Sequence, residues 1–442
     1  MAEKERKRFR AKVREERAEG STKDGGIRRR LRERPRIRPR VFGYLTEEKE
    51  SLRQGFAALF VSSVGELAAG IVLAGIAGTL EELVGLAVLI PAAIGMRGAI
   101  FGAMGSRLST SIQTGLFSFS LRRGVLAENV QAAAVLSLLS GVFLAFLARY
   151  LSDILGVVTE LSVVDYVVIS TVGGIIAGVL LLGLTILVAR TSVARGWDMD
   201  NIASPMLTAA GDILTLPSLV VSAYLIGIPF FSNALALVLV AVTMATTILG
   251  FRLGALNLRR ILAESLPILA ITGAVMILVG VALEERSEQF TTLLALSILL
   301  PAFLQEGGAL GGILSSRLSS KIHLGLLAPQ GLPSVTAFKD FVLIYTFATG
   351  VYLFIGAASH GLAVMLFPDG SSPGLLEMMG ITALAGLIAT TAAVLAAYYG
   401  SVVSYRLGLD PDTYGIPIIT ATVDLLGFMS LIIALIVFGL AG

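Results

Sequence analysis

The sequence predicts an all-α polytopic membrane protein in which about eleven transmembrane helices form two parallel five-helix repeats joined by a linking helix. Of its 442 residues, 55% are apolar and 15% are charged, whereas soluble domains carry about a quarter charged residues. Apolar stretches recur with the length of about 20 residues that a helix needs to cross a hydrocarbon core. Two segments also occur twice at nearly the same separation, so a fused pseudo-dimer is expected.

The N-terminal segment differs in composition from the rest of the chain. Its first 40 residues contain 17 Lys and Arg against 7 Asp and Glu. Such a segment buries too little apolar surface to fold, so residues 1–45 are predicted to be a disordered basic arm on the cytoplasmic side. The arm is expected to act as a topology anchor or to bind anionic membrane lipids. Because no folded nucleic-acid-binding module accompanies the charge, no nucleic-acid partner is expected.

The expected spans are separated by loops whose charge alternates. The spans cover approximately residues 55–78, 83–104, 129–150, 163–189, 202–225, 230–250, 264–283, 289–314, 338–358, 375–404 and 414–440. Loops on the same side as the basic arm all carry Lys or Arg, and loops on the opposite side are acidic or neutral. Because cytoplasmic loops are enriched in Lys and Arg, this alternation predicts a multi-pass protein of the cytoplasmic membrane, with the N-terminus inside and the C-terminus outside.

The first repeated segment belongs to the second helix of each five-helix unit. Residues 91–110 recur as residues 301–320, and each copy contains the sequence Ser-Arg-Leu-Ser near its end. Small or cyclic residues occupy four of the matched positions, namely Pro91, Pro301, Gly98 and Gly308. Such residues let helices approach closely and let backbone oxygens face a pathway. These four residues are therefore predicted to line a pathway.

The second repeated segment belongs to the fifth helix of each unit. Residues 198–212 recur as residues 410–424. The polar residues that coincide include Asp200 with Asp412, Thr208 with Thr420, and Asp212 with Asp424. Five helices are an odd number, so an additional helix is needed for both units to enter the membrane from the same side. The expected organisation is a first repeat at 46–227, a linking helix at 228–258 and a second repeat at 259–442.

Any proposed function must explain why Asp212 and Asp424 lie within predicted membrane spans. Each lies eleven residues into its predicted helix, which is about 16 Å of rise and close to mid-bilayer. A charged side chain there costs at least about 2.5 kcal/mol, so a functional role is the first interpretation. Thr208 and Thr420 lie one turn earlier on the same helix face. Oxygen donors without cysteine suit a hard, hydrated cation such as Mg²⁺; a purely structural role for the two carboxylates is the alternative.

These segments together resemble the membrane domain of the MgtE magnesium channels, and the two-repeat form with Ser-Arg-Leu-Ser resembles more closely their relatives in solute carrier family 41. The resemblance implies a Mg²⁺-selective pathway between two halves, with Asp212 and Asp424 as the central ligands. Mg²⁺ would then be the transported substrate, with no organic cofactor and no enzymatic activity. The chain differs from the family in having Ala99 and Ala309 where Asn is common. No soluble sensor domain is expected.

The two repeats also differ from each other in their charged residues. Met96 and Arg97 in the first correspond to Glu306 and Gly307 in the second, and Glu66 has no acidic counterpart near Leu269. Arg97 is expected to form a buried ion pair with either Glu306 or Glu66. The alternative is that one of these glutamates binds a coupling ion such as Na⁺ or H⁺.

Several other interpretations stay open at this point. Asp200 and Asp412 precede the fifth helices, where they either cap the helix or form a cation-recruiting vestibule. His323 and His360 are predicted to be surface residues in loops. A coupled exchanger, a Mn²⁺ or Co²⁺ transporter, and a membrane scaffold are alternatives to a Mg²⁺ pathway. One chain supplies both repeats, so a monomer is sufficient, and a larger assembly stays open.

Overall fold

The computed structural model describes residues 49–195, 199–226, 230–368, 372–407 and 416–440. The predicted basic arm lies outside this part of the chain, as does Asp412, and the side chain of Asp200 is also outside it. The described residues form helices and connecting turns without a β-strand.

The helices follow one another along the chain with short connections. In order they are α1 (Lys49–Gly75), α2 (Ala77–Glu82), α3 (Ile90–Gln113), α4 (Val125–Leu155), α5 (Val163–Arg195), α6 (Met199–Ala223), α7 (Phe231–Leu253), α8 (Leu256–Glu284), α9 (Ser287–Thr292), α10 (Leu294–His323), α11 (Val335–Leu366), α12 (Leu375–Leu407) and α13 (Ile416–Val437). In the described part of the chain, 11 helices are long and apolar enough to cross a membrane. The prediction of an all-α membrane protein with about eleven spans is confirmed.

Several spans are longer than the sequence predicted. The third span of the second repeat, α11, continues to Leu366 and therefore includes His360, which was expected in a loop. The Nδ1 atom of His360 lies 2.9 Å from the hydroxyl oxygen of Ser372. His323 is the last residue of α10. The apolar-length criterion underestimated these helices because it stops at the first polar residues, whereas hydrogen bonding continues the helix beyond them.

The first helix of each repeat packs against the other repeat. Helix α1 lies mainly against α10, and it also contacts α11 and the α6 helix of its own repeat; α8 lies against α4 and α3, and it also contacts α13 of its own repeat. Two glycines permit the closest approach: a Cβ atom added at Gly70 would lie 2.0 Å from the carbonyl oxygen of Ile298, and one added at Gly280 would lie 2.0 Å from that of Val88. Gly280 lies 210 positions after Gly70 in sequence, and Ile298 lies 210 positions after Val88. The same crossing therefore occurs twice, as expected for two copies of one unit.

A buried glutamate fixes the start of α3 against the end of α8. Glu284 accepts hydrogen bonds from the backbone N–H groups of Gly85 (2.7 Å) and Ala87 (3.0 Å). Gly85 immediately precedes the short 3₁₀ turn Leu86–Val88 that leads into α3, and Ala87 lies within it. Because the first N–H groups of a helix lack partners within the helix, a carboxylate in this position satisfies them. The contact orients α3, whose next residues border the candidate site.

The arginines of the two Ser-Arg-Leu-Ser segments also bond to matched partners. Arg107 Nε donates to the side-chain oxygen of Asn129 at 2.9 Å, and Arg317 Nε donates to Asp340 at 3.2 Å. The carboxylate of Asp340 is buried and also accepts from Lys321 Nζ at 2.6 Å. The second and third helices of each repeat are therefore joined at equivalent places, with a charged acceptor only in the second repeat.

Candidate cation site

A cavity of about 460 Å³ lies between the two repeats. Residues of α1, α3 and α6 from the first repeat and of α8, α10 and α13 from the second line it, and most are apolar or small. Its polar lining consists of Thr208, Asp212, Thr272, Gln305, Thr420 and Asp424. Both repeated carboxylates therefore border one cavity, together with the threonine that precedes each by one turn.

The two aspartates are placed by equivalent helices and differ in exposure. Asp212 on α6 is 4% exposed, and Asp424 on α13 is partly exposed. Each threonine lies four residues before its aspartate, so the hydroxyl and the carboxylate share a helix face. The arrangement supplies two hydroxyl groups and two carboxylates to the same space.

The second helices contribute the small residues that face these side chains. A Cβ atom at Gly308 would lie 2.8 Å from Thr420 Cγ2 and 3.6 Å from Asp424 Oδ1, and one at Gly98 would lie 3.8 Å from Thr208 Cγ2. The absence of a side chain at both glycines therefore leaves room beside the polar face. The prolines expected on the pathway, Pro91 and Pro301, border the same cavity.

Glu66 approaches Asp212 from the first helix. Its side chain is 1% exposed, and its carboxyl group is a neighbour of the Asp212 carboxyl group. Glu66 does not border the cavity itself.

Glu306 of α10 is buried against the same first helix. It is 0% exposed, and its Oε1 atom accepts a hydrogen bond from the hydroxyl of Ser63 at 2.6 Å. Its Oε2 atom has no hydrogen-bond partner among the described residues. Ser63 precedes Glu66 by three residues, so the two side chains lie on one face of α1.

The ion pair that the sequence suggested for Arg97 is not formed in the described structure. Arg97 is 2% exposed, and its Nε and Nη1 atoms have no partner among the described residues. Its guanidinium group lies against α5, where a Cβ atom at Gly174 would lie 2.0 Å from Nη2. The prediction was wrong because Arg97 extends from α3 into its own repeat, whereas Glu66 contacts α6 and Glu306 contacts α1.

The glycine crossings also correct the expected counterpart of Glu66. Since Gly70 corresponds to Gly280, the position matching Glu66 is Met276 and not the region of Leu269. By the same register Ser63 corresponds to Gly273, and Glu306 corresponds to Met96. A Cβ atom at Gly273 would lie 2.2 Å from Met96 Cε, so these two positions also meet in the second copy. One half therefore has polar side chains where the other has methionine and glycine.

Thr272 and Gln305 were not identified from the sequence, although both border the cavity. Gln305 corresponds to Gly95 in the first repeat, and Thr272 corresponds to Ser62. Because these residues are not the same in the two repeats, the internal repetition did not single them out. An amide within an apolar helix was the available signal for Gln305.

In the described part of the chain, no three His, Asp or Glu side chains converge as a metal-binding group. The cavity thus offers a pair of carboxylates with neutral oxygen donors around it.

Comparison with known proteins identifies relatives over most of the membrane region. Residues 90–222 and 300–434 each match the MgtE family model, described as a divalent cation transporter. Solute carrier family 41 member 2 of Xenopus laevis is 24% identical over 384 residues, which cover 78% of this chain and 64% of the relative. The human member 2 protein is 24% identical, with 77% and 62% covered, and mouse member 3 is 25% identical, with 78% and 74% covered.

The chain spans less than two thirds of the length of the member 2 relatives. No solved structure matches it significantly.

Proposed function

Because the chain belongs to the MgtE family of divalent cation transporters, we propose that it carries Mg²⁺ across the cytoplasmic membrane through the cavity between its repeats. The observation that carries this proposal is that Asp212 and Asp424, from helices far apart in sequence, border one cavity. Two carboxylates balance the charge of one divalent cation. In their apolar surrounding, they favour a cation over an anion or a neutral solute.

The dimensions and chemistry of the cavity support Mg²⁺ with part of its water shell retained. A water molecule occupies about 30 Å³ in the liquid, so six waters need about 180 Å³ by that measure. The cavity volume of about 460 Å³ exceeds this. Mg²⁺ prefers oxygen ligands and gives up its water reluctantly. In our proposal the carboxylates of Asp212 and Asp424 therefore bind the ion directly or through water.

The other cavity residues have supporting roles in this proposal. The hydroxyls of Thr208 and Thr420 and the amide of Gln305 accept or donate hydrogen bonds to the water shell. The glycines of α3 and α10 keep the path open beside the carboxylates. Asp200 and Asp412 are proposed to cap the fifth helices or recruit cations at their cytoplasmic ends. The alternation of loop charges supports a cytoplasmic N-terminus and an outer C-terminus.

One chain is sufficient for this pathway because both carboxylates come from the same polypeptide. The proposed domain organisation remains a repeat at 46–227, a linking helix at 228–258 and a repeat at 259–442. The linking helix corresponds to α7, which is largely exposed along its length. Such a helix is suited to contact membrane lipid, and its role is to bring the second repeat to the starting side of the membrane.

Flux into proteoliposomes tests the proposal. The full-length protein is reconstituted with a magnesium-sensitive dye inside the vesicles, and Mg²⁺ is added outside at a clamped membrane potential. Asp424→Asn keeps the size of the side chain and removes one carboxylate, so Mg²⁺ entry should fall about tenfold or more. Asp153→Asn is the matched control because Asp153 is an exposed carboxylate paired with Arg149 at 2.7 Å.

The expected result is loss of flux in Asp424→Asn and normal flux in Asp153→Asn. Adding Mn²⁺ or Co²⁺ in place of Mg²⁺ then ranks the divalent cations. A folded wild-type protein that moves no divalent cation would overturn the proposal. Equal flux in wild type and Asp424→Asn would remove the carboxylate from the pathway and leave a structural role for it.

A further inference from the structure

The loops that follow the second helix of each repeat begin in the same way. Residues 114–124, here called the first loop, connect α3 to α4, and residues 324–334, the second loop, connect α10 to α11. Gly115 and Gly325, with φ of 72° and 70°, turn the chain away from the helix at the matched place. The loops have the same length and the same initial turn, so the differences beyond that turn are specific to each repeat.

The second loop is tied to a neighbouring helix. The hydroxyl of Tyr398 and the guanidinium of Arg406, both on α12, donate hydrogen bonds to two of its backbone carbonyl oxygens at 2.8 Å and 2.9 Å. The corresponding residues of α5 are Ile186 and Ala194, whose side chains have no donor. The first loop therefore cannot be held against α5 in the same way.

The first loop exposes apolar side chains next to a pair of arginines. Leu116, Phe119 and Leu121 are 72%, 51% and 64% exposed. Arg122 and Arg123 follow directly and are also exposed. Neither arginine forms an ion pair with a carboxylate of the described residues. Apolar and cationic groups thus share one exposed segment.

Contacts within the first loop fix its shape. The rings of Phe117 and Phe119 meet edge to face with their centroids 4.8 Å apart. The hydroxyl oxygen of Ser120 accepts hydrogen bonds from the backbone N–H groups of Arg122 and Arg123 at 3.4 Å and 3.3 Å. The apolar side chains and the two arginines are therefore presented together.

Charge distinguishes the first loop from its counterpart. Arg122 and Arg123 are its only charged residues, which gives it a charge of +2, and the second loop contains no charged residue. The nearest acidic residue that follows along the chain is Glu128, which lies in the first turn of α4. An occupant of the first loop therefore has to offer negative charge beside an apolar surface.

The position of the loop supplies such a surface. It connects α3 and α4, which are both long and apolar enough to cross a membrane, so it lies where the chain leaves the hydrocarbon layer. A membrane that contains anionic lipids presents negative headgroups at this level and apolar acyl chains directly beneath them.

We propose that Arg122 and Arg123 bind the phosphate groups of anionic phospholipids, while Leu116, Phe119 and Leu121 enter the apolar layer beneath. Guanidinium groups match the geometry of phosphate oxygens and donate charge-assisted hydrogen bonds to them. The second loop, which is uncharged and tied to α12, takes no part. The lipid surface is therefore present in one repeat only.

Helix α3 joins this lipid surface to the cavity. Its N-terminal half borders the cavity at Pro91 and Gly98, and its last residue, Gln113, precedes the first loop. Lipid bound at the loop holds this end of α3, so Mg²⁺ transport should depend on anionic lipid. This dependence rests on the proposed function, whereas lipid binding does not.

A fluorescent label in the first loop tests the binding directly. The sequence contains no cysteine, so Phe119→Cys supplies a single attachment point for a dye. The labelled full-length protein is reconstituted in phosphatidylcholine vesicles with or without phosphatidylglycerol. Phospholipid brominated on its acyl chains quenches a dye that enters the membrane. Val158→Cys is the control for the label, because Val158 is exposed in the loop at the other end of α4.

Two double variants test the charges. Arg122→Gln with Arg123→Gln removes both proposed phosphate ligands. Arg190→Gln with Arg252→Gln is the matched control, because it removes two exposed arginines from other helix ends on the same predicted side of the membrane. Titration of the labelled protein with phosphatidylglycerol in detergent micelles then gives an apparent affinity for each variant.

Phosphatidylglycerol should increase quenching at position 119 and not at position 158. The apparent affinity should fall about tenfold or more when Arg122 and Arg123 are replaced, and it should stay unchanged in the Arg190 and Arg252 control. Sodium phosphate added to phosphatidylcholine vesicles should not replace the lipid.

Three results would overturn the lipid surface. The first is equal quenching at position 119 with and without phosphatidylglycerol, and the second is equal affinity in the two double variants. The third is sodium phosphate that acts as well as the lipid, which would assign the arginines to a free anion. A dye that aqueous iodide quenches equally in every membrane would give the first result and leave the loop to a soluble partner.

The two proposals fail in different ways. Lipid-dependent quenching in a protein that moves no divalent cation supports the lipid surface and contradicts the transport proposal. Mg²⁺ flux through a protein whose first loop ignores phosphatidylglycerol supports the transport proposal and contradicts the lipid surface. Flux that rises with phosphatidylglycerol in the wild type, and not after replacement of Arg122 and Arg123, supports the link through α3.

Discussion

The crossing of the first helices over the opposite repeats is predicted to be intolerant of a single methyl group. At Gly280 a Cβ atom would lie 2.0 Å from the carbonyl oxygen of Val88 and 2.7 Å from its carbonyl carbon. At Gly70 the corresponding distances to Ile298 are 2.0 Å and 2.6 Å. Both obstacles are backbone atoms, which do not rotate away as a side chain can. Gly→Ala at either position therefore has to displace a helix.

The magnitude follows from comparison with ordinary overpacking. An additional methylene in a packed core costs about 1–3 kcal/mol. Because the clash is with backbone atoms, the cost of each substitution should lie in the upper part of that range. Gly183→Ala is the matched control because a Cβ atom there meets nothing within 4 Å. In a helix interior that change should stabilise the protein by about 0.5–1 kcal/mol.

Thermal unfolding of the detergent-solubilised protein, followed by size-exclusion chromatography after heating, is the assay. Gly70→Ala and Gly280→Ala should lower the midpoint, and Gly183→Ala should leave it unchanged or raise it. Since α1 carries Glu66 and α8 carries Met276 to the centre of the molecule, Mg²⁺ flux should fall in the first two variants. If both melted like the wild type, the close crossing described here would be refuted.

Two further changes test the surroundings of the cavity. Gly308→Ala should reduce Mg²⁺ flux more than Gly98→Ala. The added Cβ atom would lie 2.8 Å from Thr420 Cγ2 in the first variant but 3.8 Å from Thr208 Cγ2 in the second. Equal flux in the two variants would contradict this prediction. Arg97→Met should leave thermal stability equal or higher, because it removes buried N–H donors that lack partners at a cost of about 1–3 kcal/mol each. A large loss of stability would show that the guanidinium is satisfied.

The membrane fold could be predicted because its signals are local. Apolar runs of sufficient length indicate spans, and eleven were found in the described part of the chain. The duplicated segments predicted a repeated unit, and the family model matches twice. Helix ends were less predictable: α11 includes His360, because a helix continues by backbone hydrogen bonding after the apolar run has stopped.

The candidate site could be predicted in part because its signal is also local in the sequence. A carboxylate in the middle of an apolar helix is unusual enough to stand out, and its repetition as Asp212 and Asp424 singled out the pair. The side-chain partners could not be found this way. Sequence suggested that Arg97 would pair with a glutamate, but opposite charges indicate only that a pair is permitted. Which face of a helix meets which neighbour decides whether the pair forms.

The sequence by itself determined the class of protein, the repeated unit and the residues of the polar motif, because hydrophobic length and internal repetition are properties of the chain alone. Only the tertiary structure decided that α1 and α8 cross to the opposite repeats. That crossing brings Ser63 to Glu306 across 243 positions of sequence. The physical reason is backbone contact at two glycines, where a side chain of any size would hold the helices apart.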